Sequence, residues 1–187
     1  MSYAEKQKAE IETIAPRTFN LNLSDDDVRR LYEKAAEASI TPEELIENFI
    51  ADLVFGTHTN GSDERMRARE WFERCWFSLD NYGSFLAYLV KTIEYDYYEQ
   101  QQQIISECQD ELSELDISDF DNMEEFDEEK EYHTRRLEQA NEEIKEMFDE
   151  YCKRGENPET FEKESKLISQ YQESLKKALV HEKERTV

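Results

Sequence analysis

Negative charge is concentrated in one part of this chain, residues 94–150. That tract holds 22 Asp and Glu against 4 Lys and Arg, a net charge of −18, while the whole chain of 187 residues carries −23. Because like charges at this density repel one another, the tract has to keep its carboxylates in solvent. It also cannot bind nucleic acid directly, since that affinity comes largely from Lys and Arg neutralising phosphates. The tract therefore predicts either a solubilising surface or a docking site for a basic partner.

The remaining composition predicts a folded, mainly helical protein. Ten Tyr, ten Phe and two Trp supply large side chains to bury, and only four Gly and three Pro leave room for few tight turns. Three widely spaced cysteines without a CxxC pair favour a reducing compartment, so we expect a cytoplasmic protein. With no run of 18 apolar residues and a strong acidic charge, we expect no membrane association.

The N-terminal third predicts one strand followed by two helices. After a polar arm over residues 1–16, apolar and polar residues alternate over residues 18–23, which is typical of a half-buried strand. The apolar members are Phe19, Leu21 and Leu23, and the polar members are Thr18, Asn20 and Asn22. Ser24 predicts the cap of a first helix, Thr41 with Pro42 predicts the start of a second, and Gly56 its end.

Further helices follow from apolar residues at helical spacing. We expect one after Ser62, one from Phe85 to about Leu112, and two that form an αα-hairpin over about 130–153 and 158–182. The acid-dense stretch 111–129 is expected to be a loop or a frayed connection between helices. The chain then divides into a polar arm (1–16), a strand–helix–helix module (17–56), an aromatic-rich helical region (57–112), and an acidic linker with the C-terminal hairpin (113–187).

Residues 17–56 resemble the ribbon-helix-helix superfamily. The resemblance implies that two chains pair their strands into an antiparallel ribbon that enters the DNA major groove, which would make the protein a homodimer through its N-terminal strand. Thr18, Asn20 and Asn22 would then face the bases. However, residues 1–60 carry 12 acidic and 6 basic side chains. We therefore favour a module that keeps the fold for dimerisation or as a core element without binding DNA.

A second stretch, THTNGSDERMRAREWFERCWF over Thr57–Phe77, is dense in Trp, Phe and Arg. It resembles segments of small acidic proteins of bacterial mobile elements, among them anti-CRISPR proteins. The resemblance implies a non-enzymatic inhibitor that binds a Cas9-type nuclease. The same residues also fit a simpler interpretation, because Trp71, Phe72, Cys75 and Trp76 at helical spacing are typical of a buried core.

No residue pattern indicates catalysis, a metal or a cofactor. His58, His133 and His181 are far apart, and no register of the acidic stretch supplies the Gly that an EF-hand loop needs. The chain has no Gly-rich phosphate loop and no GxSxG nucleophile motif. We therefore expect a protein that is not an enzyme and binds no cofactor.

The favoured hypothesis is an inhibitor that binds a basic nucleic-acid-handling protein, such as a Cas9-type nuclease or its guide complex. Carboxylates on a rigid helix can imitate phosphates, and a basic guide–target channel recognises backbone charge. The predicted partner-binding residues are Glu94, Asp96, Glu99, Glu111, Glu114, Asp116, Asp119, Asp121, Glu124, Glu125, Asp127, Glu128 and Glu129. Aromatic residues between these acids fit either a protein-binding surface or the core of the helices.

Two other hypotheses stay open at this point. One is a ribbon-helix-helix transcriptional regulator or antitoxin that binds DNA and uses its acidic C-terminal region to bind another protein. The other is a scaffolding protein that oligomerises through its helical hairpin.

Overall fold

The computed structural model describes residues 2–79, 82–154 and 158–179. These residues form eight α-helices and two single turns of 3₁₀-helix, Trp76–Ser78 and Ile117–Asp119. The α-helices are α1 (Tyr3–Glu12), α2 (Asp25–Glu37), α3 (Pro42–Leu53), α4 (Ser62–Arg74), α5 (Phe85–Lys91), α6 (Tyr95–Glu114), α7 (Met123–Arg154) and α8 (Phe161–Leu179). The chain divides into two compact units: unit 1 comprises Met1–Leu79 and Ser174–Val187, and unit 2 comprises Asp80–Glu173.

Side-chain caps begin two helices of unit 1 where the sequence predicts them. At the start of α2, Ser24 Oγ accepts the Asp27 N–H at 3.1 Å. At the start of α3, Thr41 Oγ1 accepts the Glu44 N–H, and the Glu44 carboxylate accepts the Thr41 N–H. Each cap satisfies backbone donors that a helix start otherwise leaves unpaired. Both predicted helix starts are confirmed.

The predicted N-terminal strand is wrong, because the described residues contain no β-strand. Residues 14–24 form irregular structure between α1 and α2. Phe19, Leu21 and Leu23, which should have formed the buried face, are 66%, 62% and 50% exposed. An alternating pattern is compatible with a strand, but a strand forms only where a second strand supplies hydrogen bonds, and the described chain supplies none.

The correction extends to the module built on that strand. Without a ribbon, the described residues do not form the strand–helix–helix fold that the resemblance implies, although α2 and α3 are present. Thr18, Asn20 and Asn22, the residues predicted to read DNA, lie exposed in the irregular segment.

Two predicted boundaries in unit 2 also change. The helix expected from Phe85 to Leu112 is two helices, α5 and α6, which are separated at Thr92–Glu94. The loop expected over 111–129 is confined to residues 115–122. Since Glu and Leu are good helix formers and α6 packs along α7, charge density alone does not end either helix.

The break between α5 and α6 is a Schellman motif with Ile93 at the position where glycine is usual. The Glu94 N–H donates to the Leu89 carbonyl at 2.9 Å, and the Ile93 N–H donates to the Val90 carbonyl at 3.3 Å. Ile93 has a φ of 64° and is 88% exposed. A β-branched residue is strained in this left-handed region, and so exposed a side chain gains little from packing.

Replacing Ile93 by glycine is expected to raise the free energy of unfolding by about 1 kcal/mol, because relief of left-handed strain exceeds the added entropy of the unfolded chain. Val90→Gly is the matched control, since Val90 lies in the regular helical backbone of α5 and glycine there should lower stability by roughly 1 kcal/mol. Urea unfolding followed by circular dichroism measures both. A loss of stability in Ile93→Gly would contradict the assignment of strain.

Unit 2 has a continuous core to which α5, α6, α7 and α8 all contribute. Its buried members are Phe85, Tyr88, Leu89, Tyr98, Ile144, Met147, Tyr151 and Ile168. Such a core holds α6 and α7 in a defined arrangement, so the residues on their outer surfaces are presented on a rigid support.

A buried carboxylate completes this core. Glu164 on α8 is only 1% exposed. Its Oε2 accepts the Phe85 N–H at 2.9 Å, and its Oε1 accepts the Tyr151 hydroxyl at 3.0 Å. Because Phe85 is the first residue of α5, the carboxylate satisfies a donor that the helix start leaves without an intrahelical partner. Glu164 thereby ties α8 to both α5 and α7.

Unit 1 has a much thinner core. Among its described residues, the buried apolar side chains are Ala35 and Ala68. Many large apolar side chains of this unit therefore remain exposed.

The loop between α3 and α4 is held by Asp52, whose two carboxylate oxygens accept the backbone N–H and the side-chain amide of Asn60, both at 2.8 Å.

Candidate partner-binding surfaces

Ten of the thirteen predicted partner-binding carboxylates lie together around the α6–α7 connection. They occupy the last turn of α6, the connection itself and the first two turns of α7. We call this set the acidic cluster: Glu111, Glu114, Asp116, Asp119, Asp121, Glu124, Glu125, Asp127, Glu128 and Glu129. All ten are exposed.

No Lys or Arg of the described chain forms an ion pair with the acidic cluster, although Lys130 directly follows Glu129. In the described part of unit 2, the ion pairs of Lys and Arg use other carboxylates, namely Glu131, Glu142, Glu150 and Glu159. Within the cluster, one carboxylate contacts a group that can become cationic: Glu129 Oε1 lies 3.1 Å from Nε2 of His133. The cluster therefore keeps its charge available to an external partner.

Part of the cluster is placed against the local electrostatics of its helix. A helix C-terminus carries partial negative charge and favours cations, yet the last turn of α6 has no basic residue and contains Glu111 and Glu114. By contrast, Glu124 and Glu125 lie in the first turn of α7, where the helix dipole favours them. The carboxylates at the end of α6 thus weaken their own helix, so helix stability does not explain why acidic residues occupy these positions.

The connection also keeps one of its carboxylates ionised. The Ser118 N–H donates to Asp116 Oδ1 at 2.8 Å. Hydrogen bonds from the backbone and hydroxyl of Ser118 lower the pKa of Asp116. This group therefore remains charged to lower pH than an ordinary aspartate.

The aromatic residues between the acids belong partly to the core and partly to the surface. Tyr98 and Tyr151 are buried. Tyr97 and Tyr132 are 42% and 51% exposed, and a hydrogen bond to Glu143 raises the pKa of Tyr97. The core interpretation therefore holds for Tyr98 and Tyr151, whereas a protein-binding role for the exposed Tyr97 and Tyr132 stays a prediction.

The other three predicted carboxylates, Glu94, Asp96 and Glu99, lie at the opposite end of α6. At a rise of about 1.5 Å per residue, Asp96 is roughly 22 Å from Glu111 along the helix. The structure therefore separates these three from the acidic cluster.

The start of α6 instead borders an open polar depression, which the sequence did not indicate. Asp96 and Glu99 line it together with Gln100, Gln102, Gln103 and Gln172. Glu99 Oε1 accepts a hydrogen bond from the Tyr95 hydroxyl at 3.2 Å. Burial raises the pKa of Tyr95 to about 12, so its hydroxyl keeps its proton at neutral pH. Gln172 lies on α8, 69 residues beyond Gln103, so no local pattern places it here.

A second surface is formed by five exposed aromatic residues of unit 1, which we call the aromatic surface: Phe49, Trp71, Phe72, Trp76 and Phe77. Their ring centroids lie 5.3 Å apart for Phe49–Trp71, 5.5 Å for Phe72–Phe77, 5.8 Å for Trp76–Phe77 and 6.3 Å for Trp71–Phe77. Trp76 is 82% exposed, and the others are 45–48% exposed. The helical spacing of Trp71, Phe72 and Trp76 predicts a buried face, but among the described residues this face remains exposed.

Neither a membrane-spanning helix nor a metal site occurs in the described residues. In residues 2–79, 82–154 and 158–179, no helix is both long and apolar enough to cross a membrane. Over the same ranges, His, Cys, Asp and Glu side chains form no group of three suited to a metal ion; His181 lies outside the described residues. Comparisons with protein-family models, with curated proteins and with solved structures find no match.

Proposed function

We propose that this protein is a non-enzymatic inhibitor that binds a basic nucleic-acid-handling protein through its acidic cluster. The supporting observation is a set of ten exposed carboxylates with no Lys or Arg paired to them in the described chain, two of which oppose the dipole of α6. Carboxylates that no Lys or Arg of the described chain neutralises are available to an external cationic surface, even where some of them also stabilise the start of α7 or the connection.

The mechanism is competition for a phosphate-binding surface. Duplex DNA presents about one phosphate charge per 1.7 Å of axis, and proteins bind it by neutralising those charges. Helices α6 and α7 have 20 and 32 residues, so they are about 30 and 48 Å long. The acidic cluster lies at one end of this rigid pair of helices, so it can enter a channel built for a nucleic-acid backbone, and long-range attraction would speed its association at low salt.

The proposed target is a Cas9-type nuclease with its guide RNA. Such a nuclease holds its guide–target duplex in a positively charged channel and recognises the backbone rather than the sequence. The resemblance of residues 57–77 to anti-CRISPR proteins supports the same target class.

Neutralising part of the acidic cluster tests the proposal. The variant carries Glu111→Gln, Glu114→Gln, Asp119→Asn and Asp121→Asn, and it leaves Asp116 to hold the connection through Ser118. We expect its affinity for a Cas9-type nuclease–guide complex to fall on the order of 100-fold, because four charge contacts are lost. Binding by surface plasmon resonance and inhibition of duplex cleavage measure the effect. Wild-type affinity should also weaken as salt is raised.

The control removes the same number of charges from unit 1, through Glu10→Gln, Glu33→Gln, Glu43→Gln and Glu47→Gln. These carboxylates are exposed and lie outside the acidic cluster, so the control should inhibit nearly as well as wild type. Equal inhibition by wild type and the cluster variant would contradict the proposal. Equal losses in the two variants would show that net charge, rather than the cluster, carries the effect.

A further inference from the structure

Among the described residues, unit 1 buries none of its large apolar side chains. Its buried apolar side chains, among the described residues, are two alanines, whereas small domains depend on large buried side chains for stability. If each aromatic side chain has roughly 200 Å² of surface, the exposed fractions of the five rings add up to roughly 500 Å² of solvent-exposed area on the aromatic surface. That is more than half of the about 800 Å² that each partner contributes to a standard protein interface.

Charge indicates which partner can cover this surface. Residues 61–79, which contain four of its five aromatics, hold four Arg and four acidic side chains and so have no net charge, in a chain whose total is −23. Two copies of so acidic a protein repel one another over most of their surface, and they can approach most easily where the charge is balanced. A strongly basic partner gains nothing comparable from a neutral face.

The charged residues beside the aromatics also suit a second copy. Within the described chain, Arg69 pairs with Glu73, while Arg67 and Arg74 form no ion pair and are exposed. Glu64 and Glu70 on α4 are exposed as well. In an interface related by two-fold symmetry, the same patch meets itself, so the arginines of one copy can pair with carboxylates of the other.

We propose that two copies of this chain associate by packing aromatic surface against aromatic surface, with Trp76, its most exposed ring, as an anchor. The interface involves α3, α4 and the 3₁₀ turn Trp76–Ser78, and it does not use the irregular segment that carries Phe19, Leu21 and Leu23. It covers the apolar face that unit 1 cannot bury by itself. It does not depend on the proposed function, since it requires no target.

Sedimentation velocity of the full chain across a range of concentrations tests the proposal. We expect a monomer–dimer equilibrium, and Trp76→Ala should weaken dimerisation at least about tenfold, as is typical of a tryptophan anchor. Because Trp76 is so exposed, its removal should leave the thermal unfolding temperature of the diluted monomer nearly unchanged. Raising the salt concentration should strengthen the dimer by screening repulsion between two acidic copies, which is the opposite of its effect on binding a basic target.

Tyr132→Ala is the matched control, since Tyr132 is an exposed aromatic residue of unit 2, and its dimerisation should equal that of wild type. A wild-type chain that stays monomeric at every concentration would overturn the proposal. So would a dimer that Trp76→Ala leaves intact. If a monomeric chain instead changed its Trp fluorescence on binding a Cas9-type nuclease–guide complex, the aromatic surface would belong to the target, and the proposal would again be wrong.

Discussion

Replacing Glu164 by alanine is expected to lower the free energy of unfolding by about 3 kcal/mol, because two buried hydrogen bonds to a carboxylate are lost. The substitution removes the acceptor of the Phe85 N–H and of the Tyr151 hydroxyl, both inside the core of unit 2. Part of the loss is offset, since a buried carboxylate no longer has to be desolvated. Urea unfolding followed by far-ultraviolet circular dichroism measures the change.

Two variants separate the hydrogen bonds from the change of side chain. Glu164→Gln keeps an oxygen acceptor and should lose only about 1 kcal/mol. Glu162→Ala removes an exposed carboxylate from the first turn of the same helix and should change stability by less than about 0.5 kcal/mol. If Glu164→Ala proved as stable as wild type, the cost of burying the carboxylate would equal the value of its hydrogen bonds, and its tying role would be refuted.

Replacing Phe85 by alanine should be at least as damaging, with a loss of about 3–5 kcal/mol. The ring is fully buried. Its centroid lies 5.3–6.3 Å from those of Tyr88, Tyr98, Phe148 and Tyr151. Removing it leaves a cavity bounded by four rings that cannot all move inward. Since the free energy of unfolding of a domain is only about 5–15 kcal/mol, unit 2 would lose a large share of its stability.

Phe85→Leu keeps the prediction testable if the alanine variant does not fold, and it should lose roughly 1–2 kcal/mol because most of the volume is retained. Tyr32→Ala is the control from unit 1, where the ring is 58% exposed, so its loss should be clearly smaller. Both tryptophans, Trp71 and Trp76, lie in unit 1, so Trp fluorescence reports that unit while circular dichroism reports all helices. Equal effects of Phe85→Ala and Tyr32→Ala would contradict the assignment of the core.

Local sequence signals predicted the helices well where they act over a few residues. The caps at Ser24 and Thr41 were read correctly because the donor and acceptor are three residues apart. The sequence pattern does not reveal the break at Thr92–Glu94, because Ile93 occupies the left-handed position where glycine usually marks the end of a helix. The strand over residues 18–23 was predicted wrongly because its stability depends on a partner strand that no local pattern reveals.

The candidate surfaces were predictable to different degrees. The acidic cluster follows from the sequence, since ten of its carboxylates lie within 19 consecutive residues and have to be solvated. Its separation from Glu94, Asp96 and Glu99 follows only once α6 is known to be a continuous helix up to Glu114. The aromatic surface was recognisable as an apolar face, but its exposure was not, because burial depends on what packs against it.

The amino-acid pattern alone predicts that this chain is mainly helical, where α2 and α3 begin, and where its negative charge is concentrated. These properties depend on backbone propensity, on caps that act across three residues and on composition. Which apolar residues are buried follows only from the fold, since burial depends on residues distant along the chain. The fold places Glu164 in the core beside Phe85, 79 residues earlier, and it leaves Trp76 in solvent. A periodic pattern states that a helix has an apolar face, whereas only packing decides whether that face meets its own chain or a partner.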